Sequence, residues 1–258
     1  RSARPPGFPG SPPPRSRCWV SIAGARARPD GVARKGTGRE PAIDAATRLR
    51  KEASSLSVDL DDVAVGRLVR FLDELELWNA RTNLVGEHDR LSLIDRHIVD
   101  SLAAVPLLRS LGTGLRLADL GSGGGLPGIP LAIALQPGEM RLIEPRQKRA
   151  SFLRSVRRAL PDVGLEISEE RGEDVASRPE LAAAFDAIVS RATLADPDLQ
   201  ACAAPLLREG GLLVAYRGTG DAPSTDTSPF FSGPGSHRYA LTEAQRVFRL
   251  DVWTRRFT

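Results

Sequence analysis

At 258 residues with 41% apolar side chains, the chain is long enough for one sizeable core plus an appendage. No apolar run approaches the roughly 18 residues of a membrane span, and Cys18 and Cys202 sit in unrelated segments without metal-type spacing, so neither a disulfide framework nor a zinc site is indicated. The formal charge of +4 is uneven: residues 1–50 hold 11 Lys and Arg against 3 Asp and Glu, leaving 25 against 29 for the rest. Basicity therefore belongs to the first fifty residues, and a nucleic-acid partner would have to be met by local clusters rather than by global attraction. A reducing, cytoplasmic setting is the default for such cysteine usage.

Residues 1–42 are rich in Arg, Pro, Gly and Ser and show neither a helical nor a strand period, so a disordered tail is expected there, either a non-native upstream extension or a dispensable segment. From about Asp59 the pattern turns helical: Val65, Leu68, Val69, Leu72 and Leu75 follow the spacing of one buried face, with Asp61 and Asp62 at the positive end of the dipole. A second helix is predicted from about Leu91 to Leu108, with Leu91, Ile94, Ile98, Leu102 and Val105 inward. These helices make residues 43–112 an N-terminal helical cap, and Trp78 is expected to be buried against the second of them.

An α/β domain is predicted for residues 113–258. Strands are placed near 115–120, 140–143, 164–168, 185–190 and 211–216, with helices near 126–136, 146–160 and 194–207 between them, the alternation of a mostly parallel sheet. Arg146, Lys148, Arg149, Arg154, Arg157 and Arg158 spread over much of the middle helix and fit either an RNA contact or a solvated face. Residues 218–237 read as a long loop. Two last strands, about 239–250 and 251–257, could pair as a hairpin.

The chemistry concentrates where the first strand ends. Leu115, Leu117 and Leu120 bracket it, and Gly121, Gly123, Gly124 and Gly125 then let the backbone turn tightly and approach a ligand. Alone, such a loop fits a plain strand-to-helix turn as well as a cofactor cradle. The second strand ends in Glu144, at the spacing where doubly wound folds place the acid that binds ribose hydroxyls. Either a dehydrogenase or a methyltransferase satisfies this order.

Asp119, two residues before the first glycine, resembles the acid of S-adenosylmethionine-dependent methyltransferases rather than of dehydrogenases. Further motifs narrow the likeness: Trp78-Asn79-Ala80-Arg81-Thr82-Asn83-Leu84, Arg96-His97-Ile98-Val99-Asp100-Ser101, the glycine string through Ala132, Lys148-Arg149, Phe152-Leu153, Arg171-Gly172-Glu173 and Ser190-Arg191-Ala192, all in one order. Together they resemble the ribosomal RNA small subunit methyltransferase G family, also called glucose-inhibited division protein B, over roughly Leu60 to Gly218.

The resemblance implies a Rossmann-like methyltransferase fold, S-adenosylmethionine as cofactor, and methyl transfer to N7 of a guanosine in the 530 loop of 16S rRNA of the small ribosomal subunit. It implies cofactor contacts at Gly121 and Leu126, at Gly172 and Glu173, and at Arg191; Gly123 and Glu144 join them on the loop and strand logic above. No metal and no membrane are implied, and a monomer is favoured. Guanine N7 carries a lone pair and no proton, so alignment matters more than a general base. Arg96, His97 and Arg217 are the candidates for positioning substrate, with fastening the cap to the sheet the favoured role of His97. Cys202 reads as core filler rather than a nucleophile.

Two departures stand out. Family members commonly end the fifth strand in Lys-Gly, whereas this chain has Arg217-Gly218, and residues 219–238 lack the helix expected there. A methyltransferase of the same fold acting on another substrate, and a non-catalytic RNA-binding assembly factor, are the rival readings; the intact loop speaks against the second.

Overall fold

The computed structural model describes residues 44–191, 194–218, 220, 228–241 and 246–257. The tail expected for 1–42 lies outside these residues, as do Ala192 and much of the loop expected for 218–237. Helix α1 (Ala45–Ser55) opens the described chain, capped by Asp44, whose carboxylate accepts the Ala46 and Thr47 amides. The spacing of apolar residues did not announce it. Its inner face carries Arg48 and Glu52 beside Leu49 and Ala53, and Arg48 makes a two-pronged bond to the distant Asp95 at 2.9 and 2.8 Å and lies 3.7 Å from Glu52.

Helix α2 (Asp62–Thr82) begins as expected, with Asp61 accepting the Ala64 amide at 2.7 Å, and ends at Asn83 in a left-handed conformation. Val65, Leu68, Leu72 and Leu75 are buried, and Val69 partly so. Trp78 is partly buried against the core and packs edge-on on Phe152 of a later helix, with ring centroids 5.8 Å apart.

The single helix expected for 91–108 is instead a broken run: α3 (Arg90–Leu93), a π-helical turn (Ile94–Val99), α4 (Asp100–Leu102) and α5 (Val105–Arg109). Pro106 explains the later break, since it has no amide proton to continue a helix and its ring crowds the preceding turn. The wider turn adds a residue to the spiral and rotates what precedes it. Leu91 accordingly points outward, 51% exposed, while Ile94, Ile98, Leu102 and Val105 are fully buried.

Strands β1 (Arg116–Leu120), β2 (Glu139–Ile143), β3 (Leu165–Ser168), β4 (Phe185–Arg191) and β5 (Leu207–Arg217) are parallel. Between and beside them lie α6 (Gly128–Leu135), α7 (Gln147–Ala159), α8 (Gly172–Ala176) and α9 (Asp196–Ala203). Strands β6 (Phe231–Leu241) and β7 (Arg246–Arg255) are antiparallel, and the sheet order is β3-β2-β1-β4-β5-β7-β6. The final hairpin thus exists, but its strands begin earlier than expected, and position 250 falls inside β7. Strand β6 is an edge strand holding Gly233, Pro234 and Gly235 and exposing most of its residues, so it carries no apolar alternation to read.

Alternation along the strands feeds two cores. Leu117, Ala187 and Val189 face a cluster that also takes Leu49, Leu68, Leu75, Ile98 and Phe152, so the N-terminal helices and one face of the sheet share an interior. Ala118, Leu120, Ile188 and Leu213 face the other, with Val175, Cys202 and Trp253. The strand order reverses between β1 and β4, which is where a doubly wound sheet opens a crevice at its carboxyl ends. Among the described residues no helix is long and apolar enough to cross a membrane.

Candidate active site

At that crevice the chain leaves β1 through Gly121, Gly123 and Gly125, all at positive φ (77°, 54° and 75°), a run that residues with a Cβ would resist. The loop is pinned from two sides. The Gly121 and Ser122 amides donate to the Ile143 carbonyl at 2.9 and 3.1 Å, tying the turn to the end of β2. Glu144, buried at that strand end, accepts the Gly123 amide on Oε2 and the Arg146 amide on Oε1, each at 2.9 Å. Each oxygen keeps a second acceptor site, so the carboxylate that shapes the loop can still receive a diol.

Asp119 pins the other end. Its Oδ2 accepts the Gly128 amide at 2.9 Å, holding the start of α6 against β1. The side chain is fully buried, and among the described residues Oδ1 has no hydrogen-bond partner. Burial pushes its carboxyl up to about 7, against the pull of the Gly128 amide and Arg191.

The loop faces a cavity of about 370 Å³ lined by Gly121, Gly123, Leu126, Glu144, Arg149 and Arg191, together with Leu84 and Val85. The last two come from the segment after α2, and Asn79 puts them there. Its Oδ1 accepts the Val85 amide at 2.9 Å and its Nδ2 donates to the Glu87 carbonyl at 2.7 Å, which folds the segment back over Gly124. The Trp78–Leu84 motif therefore has a structural meaning that its spacing did not convey: a buried amide shaping one wall of the cavity.

Gly172 and Glu173 behave differently. They open α8 on the other face of the sheet, where Gly172 packs near Leu120 and Cys202, and neither lines this cavity. Cys202 is buried, and burial followed by the charge of Glu173 pushes its thiol up to about 11, which leaves no thiolate for nucleophilic work.

A second cavity, about 310 Å³, adjoins the first, and Arg191 lines both. Arg96 and His97 reach it from the π-helical turn, Asp100 from α4, Arg217 from the end of β5, and Tyr239 and Phe248 from the hairpin. The three positioning candidates, Arg96, His97 and Arg217, are thus brought together. Arg191 Nη1 donates to Asp100 Oδ2 at 3.0 Å, and the Tyr239 hydroxyl donates to Asp100 Oδ1 at 2.5 Å. His97 Nε2 lies 2.6 Å from Glu87 Oε2; burial first, then Arg191, holds the imidazole below its usual range. Arg217 is bound on two sides, by Asp251 at 3.2 Å and by Asp196, with its guanidinium 5.8 Å from the Trp253 ring. Tyr239 and Phe248 are site residues that no motif in the sequence pointed to, and Asp100, although part of the Arg96–Ser101 motif, was given no role there.

On the basic helix, Arg154 pairs with Glu169 at 2.7 Å and Arg149 approaches Glu144 at 3.8 Å, while Arg146, Lys148, Arg157 and Arg158 are exposed.

A mostly parallel seven-stranded sheet in this order, with a glycine loop after β1 and a buried acid ending β2, is a Rossmann-like α/β fold of the kind that S-adenosylmethionine-dependent methyltransferases have. A solved structure of a mutant MtNAS in complex with S-adenosylmethionine is similar in fold, with a TM-score of 0.50 at 16% identity over 81% of this chain and 88% of that one. The family model for rRNA small subunit methyltransferase G, GidB, matches residues 65–228, and the chain belongs to that family. It is 38% identical to the ribosomal RNA small subunit methyltransferase G of Sorangium cellulosum over 64% of this chain and 69% of that protein. To the protein of the same name from Geobacter metallireducens it is 38% identical over 70% of this chain and 80% of that one.

Proposed function

We propose that the chain transfers a methyl group from S-adenosylmethionine to N7 of a guanosine in the 530 loop of 16S rRNA, as a cytoplasmic enzyme acting on the small ribosomal subunit. The observation that carries this is the pair of adjoining cavities joined at Arg191, one built by the glycine loop and one built by the cap and hairpin, in a chain of the methyltransferase G family.

The first cavity fits the cofactor. Its size suits a nucleoside-bearing ligand; the glycine amides leave the loop face open, Leu84, Val85 and Leu126 offer apolar surface, and Glu144 offers acceptors to ribose hydroxyls. Arg191 suits the methionine carboxylate or the substrate, and Gly172 and Glu173 are kept as proposed adenine contacts on the family likeness. When bound, S-adenosylmethionine supplies an electrophilic sulfonium methyl; as N7 forms its bond to carbon, the carbon–sulfur pair stays on sulfur and the positive charge ends on the purine. The protein's own task is alignment and exclusion of water. Asn79 and Glu144 hold the walls that define where the donor lies, and no side chain has to remove a proton from N7.

The test is transfer of labelled methyl to intact small subunits and to naked 16S rRNA, with mass mapping of the modified nucleotide. A 7-methylguanosine in the 530 loop is the expected product. A folded protein that binds cofactor and labels neither substrate rejects the reading, and label on another nucleotide rejects the specificity.

Asn79→Ala gives a check on the wall. The Val85 amide loses its acceptor, a defect expected to cost about 1–3 kcal/mol, and the segment over Gly124 is released. Calorimetric titration with S-adenosylmethionine is expected to show weaker binding by roughly 5- to 150-fold, in line with that energy. Unchanged affinity would mean that the segment does not shape the donor site.

A further inference from the structure

The second cavity carries a combination that the methyl-transfer reading does not by itself require. The rings of Tyr239 and Phe248 are stacked, with centroids 5.8 Å apart and planes 23° from parallel, and both line the cavity. Phe248 packs against the edge of the core but is only partly buried, so part of its ring surface stays open to the cavity it lines. Tyr239 is fixed by its hydroxyl bond to Asp100. Burial, then Asp100, holds that phenol far above its ordinary range, so it stays a donor.

The charges around this wall are compensated. Arg191 meets Asp100, Arg217 meets Asp251 and Asp196, and Arg96 lies 3.4 Å from Glu87. His97 bonds to Glu87 and is held towards its neutral form. Phosphate recognition calls for donors whose charge is still available. Here each lining cation named already has a carboxylate partner, and the remaining surface is aromatic.

We propose that the second cavity is the pocket for the target nucleobase, with Phe248 stacking on the base and the Asp100–Tyr239 bond holding the aromatic wall in place. This rests on the guanosine reading above. Aromatic side chains are the usual platforms for unstacked bases. The reaction adds a further reason. Methylation at N7 leaves the purine ring positively charged, and the electron-rich faces of Phe248 and Tyr239 favour a ring that gains positive charge. The wide turn at Ile94–Val99 brings Arg96 and His97 to this wall from an otherwise helical run.

Phe248→Ala is expected to lower kcat/KM for small-subunit rRNA by roughly 5- to 150-fold, the loss of one stacked base, with S-adenosylmethionine affinity within about twofold of the parent. RNA affinity measured without cofactor is expected to fall in parallel, and Phe248→Trp is expected to restore both. An alanine variant equal to the parent overturns the pocket assignment. So does one that loses cofactor affinity along with transfer, since the wall would then be supporting the first cavity. Loss in the alanine and tryptophan variants alike, with cofactor affinity kept, overturns stacking as the role of the ring. A parent protein that transfers no methyl rejects the guanosine reading alone; RNA affinity of Phe248→Ala, read without cofactor, still decides the pocket.

Discussion

Gly128→Ala is expected to destabilise the protein by about 2–4 kcal/mol and to abolish tight cofactor binding. A Cβ at this position would lie 2.5 Å from Leu142 Cδ2 and 2.7 Å from Asp119 Oδ2. Neither neighbour can give way cheaply: Leu142 is fully buried on β2, and Asp119 is the group that accepts the Gly128 amide. The added methyl therefore overpacks the junction of β1, β2 and α6 and breaks the bond that holds α6 against β1 at the same stroke. Thermal unfolding should shift down by roughly 5–15 °C for a chain of this size. Gly66 on the exposed side of α2 is the control, because a Cβ there would meet nothing within 4 Å. At that position alanine should hold or raise stability by up to about 1 kcal/mol. A Gly128→Ala protein that unfolds at the parent's temperature and binds S-adenosylmethionine normally would show that the junction is not close-packed around the glycine.

That junction was legible in the amino-acid order because its signals are local. Apolar runs stop in glycines at Gly121 and in an acid at Glu144, and strands β1 to β5 follow from alternation within a few residues of each position. What escaped has a physical reason in each case. The interior face of α1 includes Glu52 and Arg48, the latter bonded to Asp95 far along the chain, so its apolar period is weak. The π-helical turn shifts the phase of a pattern that looked regular, and only Leu91 on the surface betrays it. Strand β6 is paired along its length with β7, and between its buried ends Phe231 and Leu241 it shows no apolar alternation to read. Of the second cavity, Arg96, His97 and Arg217 were legible as positioning candidates, but its aromatic wall was not. Asp100 and Tyr239 are 139 residues apart, and no spacing rule joins a cap helix to a C-terminal hairpin.

Asp119 should make stability fall as pH rises through neutrality, the reverse of what an ordinary salt-bridged carboxylate does. Its ordinary value is 3.8, and burial raises it to about 7 in the folded protein, where Oδ1 finds no partner to solvate the charge. Between those values the folded chain holds a proton that the unfolded chain has released. The contribution is therefore complete below about pH 4, declines as pH rises, and is lost once pH passes the folded value near 7. Asn at this position keeps an oxygen for the Gly128 amide and cannot ionise. Chemical denaturation of parent and Asp119→Asn at about pH 5 and about pH 8 isolates the effect, because other titrating groups cancel in the comparison. The parent is expected to lose about 2–3 kcal/mol more than the variant over that interval. Parallel losses would mean that Asp119 is ionised in the folded state, and that the bond to Gly128 is a charge-assisted one. The outcome bears on the glycine loop directly, since the protonation state of this one carboxyl sets how firmly the start of α6 is held beside the donor cavity at working pH.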